Sequence, residues 1–200
     1  DELIEVYTFP QGRINHIHNI IEDTNNDCLW ILTGDVGESV GIYKAQNNFK
    51  SMELIVSGDQ KFRSCVAFPI KGGIIYATDS QYEQNTIRML FNTGKSWSTK
   101  ILHKMNGPCI YGTKIGESLF FSTSVEGVNS GNLIKQFLGN KRGPGIIKNR
   151  SEIVRGNLEE GFKTIYDNEK DIYPFYIFQF GNIIFPTGLN ILSALIFTNI

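Results

Sequence analysis

A repeat constrains this chain more than any other feature. Leu29-Trp30-Ile31-Leu32-Thr33, Ile74-Ile75-Tyr76-Ala77-Thr78 and Leu119-Phe120-Phe121-Ser122-Thr123 are short apolar runs closed by a threonine, and successive threonines stand 45 residues apart. A fourth copy, Ile183-Ile184-Phe185-Pro186-Thr187, follows after 64. Runs this short, bounded by turn residues, are what fully buried strands look like. A fixed period means that each repeat is one unit that buries its apolar face against the next.

The rest of each period agrees. A further strand candidate precedes each run: His16 to Ile21, Arg63 to Ile70, Cys109 to Ile115 and Tyr176 to Phe180. The links are turn-like, as in Lys71-Gly72-Gly73 and Gly116-Glu117. Two more strands follow each of the first three runs, at 41–45 with 51–56, 86–91 with 97–102, and 152–156 with 162–166. Four strands in about 45 residues is the arithmetic of a propeller blade. The expected fold is therefore all-β, a β-propeller of four-stranded antiparallel blades forming part of a larger propeller. A single domain is expected over 1–200. Residues 3–9 would be an outer strand, with blades at about 16–57, 60–102, 107–166 (insertion 127–150) and an incomplete 174–200.

Composition excludes several function classes. With 19 Lys and Arg against 20 Asp and Glu, the net charge is -1, so no nucleic-acid footprint is expected. The strand-like stretch 191–200 is too short and polar to span a bilayer, so no membrane span is expected there. The odd set of Cys28, Cys65 and Cys109 reads as three buried thiols without zinc-type spacing, and leaves the compartment open.

Several strings carry a family likeness. They are Phe9-Pro10-Gln11-Gly12-Arg13-Ile14-Asn15-His16-Ile17-His18-Asn19, Trp30-Ile31-Leu32-Thr33-Gly34-Asp35, Ser57-Gly58-Asp59-Gln60-Lys61-Phe62-Arg63, Tyr76-Ala77-Thr78-Asp79-Ser80, Gly107-Pro108 and Lys170-Asp171-Ile172-Tyr173-Pro174. Together they resemble uncharacterised bacterial BNR-repeat, sialidase-like propeller proteins, some associated with surface-polysaccharide gene sets. The resemblance implies the propeller fold and a carbohydrate partner, but no particular reaction. It also implies that a complete member has more blades.

Antiparallel geometry locates the site. The start of the first strand and the end of the second lie at one edge of a sheet. This edge gathers His16 and His18 with Asp35 in the first blade, Gln60 and Arg63 with Asp79 in the second, and Glu126 in the third. Histidines two apart share a strand face, where they ligate metal, position substrate or pack between blades. Two alone leave a metal site incomplete, so no metal and no cofactor are expected. Asp35 and Asp79 end strands, where carboxylates cap turns or meet ligands. Arg63 needs a carboxylate partner or an anionic ligand.

Glycoside hydrolysis requires paired carboxylates, for which Asp35, Asp79 and Glu126 are the candidates. A polysaccharide lyase would use His16 or His18 as base. The reading is a propeller that recognises a carbohydrate through His16, His18, Gln60 and Arg63, with cleavage of a surface polysaccharide as its enzymatic form. A non-catalytic binding or scaffold propeller is the alternative. The basic insertion, with Lys135, Lys141, Arg142, Lys148 and Arg150, is either an ordinary solvated loop or a lid. As a lid, Lys141 and Arg142 would meet an acidic polysaccharide.

Overall fold

The computed structural model describes residues 3–125, 143–168, 176–180, 183–187 and 195–196. The described chain is all-β. The first sheet is β1 (His16–Asp23), β2 (Cys28–Gly34), β3 (Gly41–Gln46) and β4 (Ser51–Ser57). The second is β5 (Ser64–Ile70), β6 (Gly73–Thr78), β7 (Thr86–Asn92) and β8 (Trp97–Lys104). The third is β9 (Cys109–Ile115), β10 (Ser118–Thr123), β11 (Ser151–Asn157) and β12 (Gly161–Asn168). Three further strands, β13 (Tyr176–Phe180), β14 (Ile183–Thr187) and β15 (Leu195–Ile196), pair in chain order. Each four-stranded sheet is an antiparallel meander in sequence order. The only helical turns among the described residues are single 3-10 turns at Gly37–Ser39 and Gln60–Phe62, so none is long or apolar enough to cross a membrane.

The sheets pack in series. β1 lies against β5, β5 against β9, and β9 against β13. Between the first and second sheets, Trp30, Leu32 and Ile42 pack with Ala67, Ile74, Tyr76 and Leu90. Between the second and third, Val66, Ile75 and Ala77 pack with Cys109, Leu119, Phe121 and Val154. The second sheet is thus covered on both faces, and β6 is buried at all six positions. That is why it reads as a continuous apolar run rather than an alternating one.

Thr33, Thr78 and Thr123 occupy the same place in each sheet. They pair with Ile17, Ser64 and Cys109 of the preceding strand. All three are buried, and each hydroxyl ties the end of its strand to the next. Thr33 Oγ1 donates to Ser39 O at 2.8 Å, while Thr78 and Thr123 Oγ1 accept from Thr86 N and Glu152 N at 2.8 and 2.9 Å. In the second and third sheets the turns between the third and fourth strands are capped by Asn side chains. Asn92 Oδ1 accepts from Gly94 N, and Asn157 Oδ1 accepts from Glu159 N and Glu160 N.

Residues 3–9 form no ladder with the described strands of this chain. This segment lies over the face of the first sheet that points away from the second. Phe9 stacks edge-on against Tyr43 at 5.1 Å, and with Ile14 it packs on Ile31 and Ala45. Phe9 and Ile14 thus cover this face, while Leu3, Ile4 and Val6 stay exposed. Of the expected strand at 191–200, only Leu195–Ile196 falls among the described residues.

Candidate functional site

The first strand of each sheet carries one extra residue next to its threonine partner. In β1 the pairing steps from Ile17↔Thr33 to Asn19↔Leu32, skipping His18. In β5 it steps from Ser64↔Thr78 to Val66↔Ala77, skipping Cys65. In β9 it skips Ile110, between Cys109↔Thr123 and Tyr111↔Ser122. A bulge of this kind bends the strand and re-aims the extra side chain. His18, Cys65 and Ile110 are therefore equivalent positions. The residues opposite the strand ends are also equivalent: His16 pairs with Gly34, Arg63 O accepts from Asp79 N, and Pro108 O accepts from Ser124 N.

Six of the expected site residues meet at the seam between the first two sheets. Asp35 is the hub. Its Oδ2 lies 3.5 Å from His16 Nδ1, and its Oδ1 lies 3.4 Å from His18 Nε2 and 3.5 Å from Arg63 Nη2. Arg63 Nη2 also stands 3.4 Å from Asp79 Oδ2. Gln60 spans the two sheets, donating from Nε2 to Asp35 O at 2.9 Å and accepting from Ser80 Oγ at 2.9 Å. Its amide is thus used within the fold at both ends. Glu126, Lys141 and Arg142 lie outside the described residues.

The cluster has two tiers. The side chains of His16 and Asp35 are 54% and 40% exposed, whereas those of His18, Arg63 and Asp79 are 4%, 14% and 9% exposed. Burial holds the His18 imidazole below its ordinary value of 6.5, against the hydrogen bond to Ser64 that favours the charged form. His18 Nδ1 lies 3.0 Å from Ser64 O. A carbonyl only accepts, so Nδ1 carries a proton, and Nε2 is the nitrogen turned toward Asp35. Arg63 Nε is buried without an acceptor among the described residues.

Two features were not legible as site features in the sequence. Cys65, read as a plain buried thiol, lies 3.6 Å from His18 Nδ1 and donates to Asp79 Oδ2 at 3.4 Å. Burial, reinforced by the Asp79 charge, pushes that thiol well up. Gly34 matters through what it lacks: a Cβ there would sit 2.2 Å from His18 Cε1, so the imidazole lies directly across its Cα. The signal for Cys65 was the i, i+2 step shared by Arg63 and Cys65 with His16 and His18.

The far end of the insertion docks on the second sheet. Gly145 N donates to Gln81 O, and Gly145 O accepts from Asn85 Nδ2 at 3.0 Å, so 143–147 rests against the loop that follows Asp79. A cavity of about 340 Å³ lies at the opposite edge of the first sheet, lined by Glu22, Asp23, Asp27 and the Gln46–Phe49 turn, and brings together no comparable donor set. Compared with known proteins, the chain matches no family model and no protein of curated function.

Proposed function

We propose that the chain is a run of β-propeller blades that recognises a carbohydrate at the seam between its first two sheets, as a binding site rather than a hydrolytic one. The blade reading is supported by the 45-residue period and by inner strands that touch in chain order. The observation that carries the binding reading is the unequal burial of the two carboxylates. Both lie within 3.5 Å of one guanidinium nitrogen, so an oxygen of each stands at most about 7 Å from the other, a bound that by itself does not decide for or against a glycosidase pair. Asp79, however, is buried beneath Arg63 and Cys65 and cannot flank a scissile bond. Asp35 and His16 remain open to solvent as hydroxyl-bonding groups.

Two carboxylates surround one guanidinium, so the cluster has no positive charge to spare. This favours a neutral, hydroxyl-rich sugar over an acidic one. A panel of neutral and acidic polysaccharides, assayed for binding and for released reducing ends, tests the reading. Binding of a neutral glycan that Asp35→Ala weakens at least about tenfold is expected, a loss of ~1.4 kcal/mol, with no reducing ends released. Binding unchanged by Asp35→Ala, or reducing ends lost on the same substitution, would overturn it.

A further inference from the structure

Three side chains of the seam, one of them buried, have the donor atoms of a metal site. His16 and the bulged His18 turn toward each other, with ring centroids 4.6 Å apart. Asp35 reaches both, at 3.5 Å from His16 Nδ1 and 3.4 Å from His18 Nε2. The three donor groups lie within 4.8 Å of one another. These separations are long for charge-assisted hydrogen bonds, which run at about 2.7–2.9 Å. A metal between them would draw both ring nitrogens and one carboxylate oxygen to about 3.3–3.4 Å from one another, the edge of a tetrahedron of N and O donors held about 2.0–2.1 Å from zinc.

Second-sphere contacts set the orientation. The Nδ1–H of His18 points at Ser64 O, leaving Nε2 as the free donor on the side of Asp35. A carbonyl on the far nitrogen is the usual device for fixing the tautomer and ring plane of a ligating histidine. Gly34 lets the ring lie flat over the strand, where any side chain would displace it. The nearby Arg63 opposes a cation, but Asp79 lies 3.4 Å from the same guanidinium nitrogen. Asp35, Asp79 and Arg63 together leave one net negative charge for a cation to neutralise.

We propose that His16 Nδ1, His18 Nε2 and the Asp35 carboxylate form a binding site for a divalent transition metal of the zinc type. Two imidazoles and one carboxylate suit zinc, cobalt or nickel, whereas calcium and magnesium prefer all-oxygen shells. Three protein ligands leave at least one position open, and the exposure of His16 and Asp35 turns it toward solvent, where water or a ligand hydroxyl completes the shell. His18, Cys65 and Asp79 also cluster. That group would need His18 Nδ1, the nitrogen engaged by Ser64 O, and it is closed off beneath Arg63. The metal site stands independently of the carbohydrate reading.

The test uses the full chain, freed of any affinity tag and stripped by chelator, titrated with Co2+ and then Zn2+. One equivalent of Co2+ should give a visible d–d absorption band that Zn2+ abolishes. His16→Ala and Asp35→Asn should each weaken binding by more than about a hundredfold. Because the His16 side chain is largely exposed, its variant should keep the wild-type circular dichroism spectrum. Cys65→Ser and His103→Ala should bind as wild type. Absence of a band, binding that survives both His16→Ala and Asp35→Asn, or binding lost in Cys65→Ser would each overturn the proposal. No glycan enters this readout, so its failure leaves the carbohydrate reading to its own test.

Discussion

The inner edges of the first two sheets share a backbone plan and differ in what it carries. In the first, His16 opens the strand, His18 occupies the bulge, and Gly34-Asp35 follows the threonine. In the second, Arg63, Cys65 and Asp79-Ser80 hold the same places, and in the third Pro108, Ile110 and Ser124-Val125 do. Asp79 is therefore the counterpart of Gly34, not of Asp35. Its carboxylate points into the seam and is buried by Arg63 and Cys65, while Asp35 stands one residue further along at the surface. Repetition supplies the scaffold. The substitutions between repeats divide the two edges: the second sheet's polar groups are buried in the seam, and the first sheet's His16 and Asp35 stay open to solvent.

Exchanging the two carboxylates should break this comparison most visibly. Asp79→Ala removes a partner from a largely buried guanidinium and should cost about 3 kcal/mol in urea denaturation. Asp35→Ala removes a half-exposed group and should cost less than about 1 kcal/mol, while abolishing ligand binding. Equal costs would mean that the tiers do not differ. A smaller but more local effect is expected at Gly34. The Cβ of Gly34→Ala must move the His18 ring, which should lower stability by about 1–3 kcal/mol and shift the His18 imidazole resonances without touching Asp79.

The all-β, four-stranded antiparallel units were legible because their signal is periodic. Threonines 45 residues apart and buried runs flanked by turns survive without any tertiary knowledge. The shared sheet edge followed from antiparallel pairing alone, which is why His16, His18, Asp35, Gln60, Arg63 and Asp79 were gathered correctly. What stayed hidden depends on single-residue register. The bulges at His18 and Cys65 change neither composition nor spacing enough to show in the hydrophobic pattern, yet they decide which side chains face each other. Asp35 and Asp79 therefore looked alike. The Ser64 carbonyl and the Gly34 Cα are backbone features, invisible to a reading of side-chain chemistry.

The pH dependence should carry the smallest signature. Burial lowers the folded-state pKa of His18, so the unfolded chain takes up more protons as pH falls through 6.5. Stability should therefore decline from about pH 6.5 downward, and be fully present above it. His18→Gln should flatten this part of the profile. The urea midpoint of wild type and variant, followed over this range, checks this.

The most direct measurement of the division between the sheets is a crystal structure of the chain grown with Zn2+, with data collected on both sides of the zinc absorption edge. An anomalous peak about 2.0–2.2 Å from His16 Nδ1, His18 Nε2 and an Asp35 oxygen, with Arg63 still between Asp35 and Asp79, is the predicted result. A peak on Cys65 and Asp79 would contradict the account, as would a seam without zinc, because either would leave the first sheet's edge with no metal-binding role distinct from that of the second.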